Sequence, residues 1–382
     1  MYNNELIYHC AADFKLGGGI QTYLKSLFQH QGQGISHELI DSLKPVDQGQ
    51  FKLLHVHEQQ LLWQLTGECP AVFTMHNHST YCPSGTKYLA ATGASCDRAM
   101  SPLGCAWGHF IDGCGSRRPH RVLQDWKNSH NDLAILQKHK IPIIAVSKFV
   151  QDQLIRHGIP AERVMTLRHG TSEPKIFHQP LTLEIHQAQR ILYVGRIVPY
   201  KGLDWLLKSL ANVDSHIHLD IAGEGWDRPR IEKLAEKLGV AHRIVWHGWC
   251  DSAKLEFLYQ QCFALIVPSS YPEPAGLVTL EAYARYRPVI ASNLGGIPDY
   301  ICRDKTGILV EANHINQLAA AITELASNFS KSRDMGQQGH DWFLGNFTMN
   351  HHVTQLQKIY DKVVESFSNQ KSIGVNQFIT RA

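Results

Sequence analysis

The stretch YPEPAGLVTLE, Tyr271–Glu281, sets two carboxylates, Glu273 and Glu281, on either side of a Pro/Gly turn. It follows FALIVPSS, Phe263–Ser270, an apolar run of the length of a buried parallel strand. Strand, turn and helix in that order put Glu273 at the carboxyl end of a strand, where open α/β sheets bind ligands. The free amides of Gly276, Leu277 and Val278 at the start of the helix suit a phosphate. Glu281, one turn in, suits a hydroxyl-bearing group such as a ribose. A carboxylate for a sugar, amides for a diphosphate and a carboxylate for a ribose describe a nucleotide-sugar site. The alternative is a plain strand–helix junction with two solvated glutamates, and this segment alone leaves both open.

A second constellation is YVGRIVPYKG, Tyr193–Gly202, again between a strand and a helix. Arg196 and Lys201 fall at the same sheet edge. A guanidinium and an ammonium there suit a diphosphate whose charge grows as its bond to a sugar breaks. Two solvated cations beside a turn are the alternative.

These residues need a scaffold. At 382 residues the chain exceeds one ordinary core, so two domains are expected. Apolar content of 43% and charged content of 19% fit a soluble globular protein, and a net charge of +3 is too mild for nucleic acid. No apolar run reaches 18 residues, so no transmembrane helix is expected. MYNNELIYHC lacks the pattern of a signal peptide. A cytoplasmic protein with its nine cysteines reduced is therefore expected. Strand-like runs at Glu5–Cys10, Phe51–Val56, Ala71–Met75, Ile141–Val146 and Arg163–Leu167 alternate with helical patterns at Ile20–His30 and Lys148–His157. Thr171–Gln187 reads as a linker. A second alternation has strands at Arg190–Val194, Ile217–Ile221, Arg243–His247, Phe263–Pro268, Arg287–Ala291 and Gly307–Val310, and a late helix at Val353–Phe367. From about Ser368 periodicity fades and a disordered tail is expected. The pattern implies an α/β protein of two doubly wound domains facing a central cleft.

The ordered set GR…KG, the GEG turn Gly223–Gly225, E-x7-E, and N-x-GG-x-P at Asn293–Pro298 resembles the retaining glycosyltransferases of the GT-B fold, family 4. The resemblance runs from about Gly17 to Tyr360. It implies an N-terminal acceptor-side Rossmann-like domain, 1–170, with an insertion at 78–119 and a helix, 351–368, packing back on it. It further implies a C-terminal nucleotide-sugar-binding domain, 188–346, and a tail, 369–382. On this resemblance Arg196 and Lys201 bind the donor diphosphate, Glu281 the ribose and Glu273 the donor sugar. Gly276, Leu277 and Val278 supply amides to the phosphate, and Trp249 or Cys250 frames the base. Gly17, Gly18 and Gly19 form a glycine loop near the sugar and phosphates. His76 faces the reaction centre. The chain departs from the family at Asn77, at His169–Ser172, at Tyr286 and at Asp299, which weakens inference about sugar and acceptor. The implied activity is transfer of a sugar from a UDP- or GDP-type donor to a saccharide or lipid-linked acceptor in polysaccharide or glycolipid synthesis. Rival readings are a GT-B nucleotide-sugar epimerase and a noncatalytic sugar-nucleotide-binding module.

Cys82, Cys96, Cys105 and Cys114 crowd into the insertion without C-x-x-C spacing. No cofactor is required by the implied chemistry. A structural Zn²⁺ on these four, helped by His76, His78 or His109, is the alternative to buried thiols. Ten basic residues from Arg117 to Arg168 outnumber four acids, which leaves a solvated surface or peripheral contact with the inner membrane face open. Many of the 23 histidines are expected at the surface.

Overall fold

Short, largely apolar segments form most of the strands, as expected where both faces of a parallel sheet are covered. The computed structural model describes residues 5–11, 19–30, 35–40, 52–65, 69–174 and 176–379. Strands β1 (Glu5–Cys10), β2 (Ile35–Ile40), β3 (Leu53–Val56) and β4 (Ala71–Met75) precede a small antiparallel hairpin, β5 (Tyr88–Leu89) and β6 (Ala94–Ser95). Then come β7 (Ile143–Ala145) and β8 (Val164–Thr166). The hairpin apart, these make one parallel sheet ordered β2-β1-β3-β4-β7-β8. The second sheet joins β9 (Arg190–Val194), β10 (His218–Ala222), β11 (Ile244–Gly248), β12 (Ala264–Val267), β13 (Val289–Ser292) and β14 (Gly307–Val310). It too is parallel, ordered β11-β10-β9-β12-β13-β14.

The chain divides into two compact units. The first takes described residues from Met1–Gly85, Leu123–Gly170 and Met349–Ala382; the second, those from Thr86–Val122 and Thr171–Thr348. Most of the insertion thus clusters with the second unit, although its sequence position had attached it to the first. The last helix, Met349–Ile379, begins before the expected Val353 and its backbone continues past the point where periodicity fades. Strand β2 escaped the sequence reading because Ser36, His37 and Glu38 interrupt its apolar residues, which an edge strand tolerates. Within the basic stretch, Arg163 is not a free surface charge: its guanidinium donates to the carbonyls of Leu136 at 2.8 Å and Ile141 at 3.0 Å. No helix among the described residues is long and apolar enough to cross a membrane.

The first core packs Ile7, Leu53 and Val72 of the sheet against Tyr23, Leu24 and Leu27 of the helix Gly19–Gln29 and Leu356 and Tyr360 of the last helix. Histidines share that face. Eleven histidines are buried among the described residues. His9 pairs in register with His55, and His37 with Ile7, so the imidazoles of β1, β2 and β3 point to the same side. His9 bridges His37 at 2.8 Å and His57 at 2.9 Å, and His57 reaches His76 at 2.9 Å. His55 lies between Tyr360 at 2.7 Å and Thr74 at 2.6 Å. These polar atoms are tolerated inside because all but His37 Nε2 find a partner.

Burial keeps the imidazoles neutral. It takes the pKa of His37 down to about 4 and, against a hydrogen bond to the Arg168 carbonyl, that of His352 to about 4. Burial, then His352, takes His76 to about 3. Below about pH 6.5 such groups gain protons in the unfolded chain before the folded one, so stability should fall as pH drops from 6.5 toward 4. Each costs about 1.4 kcal/mol per pH unit, so these three together cost about 4 kcal/mol at about pH 5.5. Calorimetry should show a flat melting temperature above pH 7 and a steep fall below it; a flat profile to pH 5 would contradict neutral burial.

Candidate functional site

In the second sheet β9 pairs with both β10 and β12, so the strand order reverses between β9 and β12. The crevice outside such a switch point is the usual ligand site of an open α/β sheet. The loop after β9 carries Arg196 and Lys201, and the loop after β12 carries Ser269, Tyr271 and Glu273. Lys201 Nζ donates to Glu273 Oε1 at 2.8 Å. The Ser269 hydroxyl donates to the same oxygen, and the Lys201 ammonium lies 5.3 Å from the Tyr271 ring centroid. Burial alone would pull the Lys201 pKa down, but Glu273 and the Tyr271 and Tyr193 phenols outweigh it and hold the pKa above its usual value. The amine is therefore a fixed positive charge. Arg196 is exposed, 5.8 Å from the Tyr200 ring centroid, and forms no ion pair among the described residues.

Two glycines explain why these loops can meet. Gly202 has φ +78°, and a Cβ there would lie 1.7 Å from the Pro268 carbonyl oxygen. Across the same seam Ser270 N donates to Tyr200 O at 2.9 Å and Trp205 Nε1 to Pro268 O at 2.6 Å. Gly295, in the N-x-GG-x-P turn, has φ +65°, and its Cβ would lie 2.5 Å from Pro272 C and 2.6 Å from Glu273 N. Gly296 N donates to Glu273 O at 2.7 Å. That turn is the mould for the Glu273 loop.

Beyond Glu273, Gly276 caps the helix Leu277–Tyr283, so Leu277 and Val278 are its first two residues. Glu281 lies on this helix and accepts from Tyr259 Oη at 3.2 Å. Burial raises its pKa, opposed by nearby Arg285. Trp249 and Cys250 follow β11; Trp249 is 78% exposed, and Cys250 Sγ lies 3.5 Å from Gly248 O. That carbonyl also accepts from Gly223 N at 2.7 Å, tying the GEG turn to this loop.

In the first unit His76 follows β4 and is half-buried, hydrogen-bonded to His57 at 2.9 Å and to His169 at 3.3 Å. Gly17 and Gly18 lie outside the described residues; Gly19 opens the helix Gly19–Gln29. The sequence reading missed Ser269, Tyr271 and His57. For His57 a signal existed: LLHVHE places histidines two apart in a strand, hence on one face.

The four insertion cysteines are free thiols. Among the described residues the trio whose ligand atoms lie within 4.8 Å of one another is His9, His55 and His57, and Cys82, Cys96, Cys105 and Cys114 supply no such group. Polar ties hold residues 86–122. Arg98 bonds Asp112 at 2.5 Å, Lys87 Nζ donates to Arg98 O at 3.1 Å, and Asn313 Nδ2 donates to Gly93 O at 2.7 Å.

Residues 180–342 match the family of glycosyl transferases group 1. The chain is 31% identical over 159 residues to the lipopolysaccharide core biosynthesis glycosyltransferase LpsE of Rhizobium meliloti, covering 41% of this chain and 45% of that protein. It is 30% identical over 161 residues to a GDP-mannose-dependent phosphatidylinositol monomannoside mannosyltransferase of Mycobacterium tuberculosis, covering 40% and 42%. Each match spans about half the length of the curated relative. The structure of Anabaena HepE in complex with UDP superposes with a TM-score of 0.69 at 14% identity, covering 94% of this chain and 100% of that one. The fold is GT-B.

The Glu273 loop should be intolerant of any side chain at its mould. Gly295→Ala should lower stability by about 1–3 kcal/mol, because backbone atoms rather than a flexible side chain must move. Urea unfolding checks this, and an unchanged midpoint would show that the turn does not shape the loop.

Proposed function

We propose that the chain is a retaining glycosyltransferase of the family 4 kind that moves a hexosyl group from a nucleoside-diphosphate sugar to a saccharide or lipid-linked acceptor. The observation that carries this reading is the set Arg196, Lys201 and Glu273 at the switch point of the second sheet, inside the stretch that matches the glycosyl transferases. HepE was solved with UDP and glucose, and the mannosyltransferase is GDP-mannose-dependent, so uridine and guanosine are the bases to test first. LpsE, named for lipopolysaccharide core synthesis, supports a role in cell-surface glycan or glycolipid assembly.

In this reading the diphosphate lies against Arg196, Lys201 and the amides of Gly276, Leu277 and Val278. Glu281 accepts from the ribose hydroxyls. Trp249 offers an exposed indole face to the base, with Cys250 beside it. Glu273 orients the donor sugar through its hydroxyls, held by Lys201 and Ser269. The acceptor oxygen forms its bond to the anomeric carbon on the face from which the phosphate oxygen departs. The departing phosphate takes the acceptor's proton, so no strong protein base is needed. Catalysis then rests on positioning and on charge placed ahead of the leaving group. His76, neutral at pH 7, exchanges its long 3.3 Å contact with His169 for a donor-sugar hydroxyl or for positive charge at the anomeric carbon.

Incubation with UDP- and GDP-sugars, following nucleoside diphosphate release and sugar transfer, tests the reading. Glu281→Ala should weaken donor binding at least about tenfold, the worth of a charge-assisted hydrogen bond. His76→Ala should lower kcat by roughly two orders of magnitude with a smaller change in donor KM. Donor binding without turnover would point to a binding module. Parental values for both variants would remove the site assignment.

A further inference from the structure

Residues 102–112 form one continuous helical segment, Pro102–Trp107 running into the π-turn Gly108–Asp112. Its start is fixed by Ser101, whose hydroxyl accepts from Gly104 N at 3.2 Å, and by Pro102 at the first position. Its end is fixed by Gly113 at φ +66°. Gly108 and His109 face inward. The opposite face carries Leu103, 87% exposed, Trp107, 58%, Ile111, 54%, and Phe110, 43%. The spacing i, i+4, i+7, i+8 gathers these four on one stripe of the helix. Single exposed apolar residues need no explanation; a contiguous stripe of four large ones does.

In sequence, the charges that follow this stripe are basic, while exposed Asp97 lies before it. Between Arg98 and Arg121 the only acid is Asp112, and Arg98 neutralises it at 2.5 Å. Arg117, Arg118 and Arg121 follow immediately, all exposed. A short helix with an aromatic and aliphatic face and arginines at its edge is the pattern of an element that lies in a membrane interface. Its apolar side chains enter the acyl boundary, while arginines reach the headgroups with their charged ends.

We propose that the segment 102–112, with Arg117, Arg118 and Arg121, is a docking surface for an anionic lipid bilayer. A second copy of the chain fits the surface less well, because a two-fold contact would bring the three arginines of each copy toward like charges. The inference does not depend on the transfer reading, since lipid binding needs no donor. Were both to hold, the surface would bring the enzyme to a lipid-linked acceptor.

Co-sedimentation of the full chain with vesicles tests this in the absence of any nucleotide sugar. One set of vesicles is phosphatidylcholine alone, and the other equal parts phosphatidylcholine and phosphatidylglycerol. The protein should bind the anionic vesicles and weaken as salt is raised. The double variant Leu103→Ser/Trp107→Ser should lose at least about tenfold in vesicle affinity, the scale of two buried apolar side chains. The triple variant Arg117→Gln/Arg118→Gln/Arg121→Gln should lose the preference for phosphatidylglycerol. All five side chains are exposed, so the variants should keep the parental melting temperature. Absence of binding to anionic vesicles, or parental binding by the double variant, would overturn the proposal. So would a dimer in solution that the double variant abolishes.

Discussion

The buried ion pair between Lys201 and Glu273 is the contact on which the second unit's site depends. Its two ends belong to loops that leave different strands, β9 and β12, on either side of the switch point. Removing charges from water costs roughly several kcal/mol per ion unless good geometry and further hydrogen bonds offset it. Here the offsets are visible: the 2.8 Å contact, the Ser269 hydroxyl on the same carboxylate oxygen and the Tyr271 ring beside the ammonium. The glycines at 202 and 295 serve this pair, because each lets a backbone approach that a side chain would prevent. The site is thus a preformed arrangement of charge rather than a set of flexible surface groups.

Arg196 behaves differently. It is exposed and makes no ion pair among the described residues, so its charge remains available to a ligand. A neutralised inner cation and an unneutralised outer one give the crevice a net pull on anions. Glu281, partly desolvated on the neighbouring helix, accepts from Tyr259 and is placed to accept from a further hydroxyl.

Much of the second unit was legible in the sequence because its signals are local. Arg190–Val194 and Gly307–Val310 are strands at the residues their apolar runs mark, and the turn glycines of GR…KG and N-x-GG-x-P fall where backbones touch. What could not be read is what depends on alignment between distant segments. His9, His37, His55 and His57 come from three strand regions, and only parallel register puts them on one face. Ser269 looked like loop composition until Glu273 turned back on it. The insertion's cysteines drew attention by number, yet its ties run through Arg98, Lys87 and Asn313, residues with no pattern to mark them.

The account's central claim is that the switch-point crevice of the second sheet holds a nucleoside diphosphate. A crystal structure of the full chain soaked with UDP, and another with GDP, tests it most directly. The account predicts density for the diphosphate within hydrogen-bond reach of Lys201 and Arg196 and for the ribose at Glu281 with at least one of them. A nucleotide bound elsewhere, or density at the crevice that leaves Lys201, Arg196 and Glu281 untouched, would contradict it.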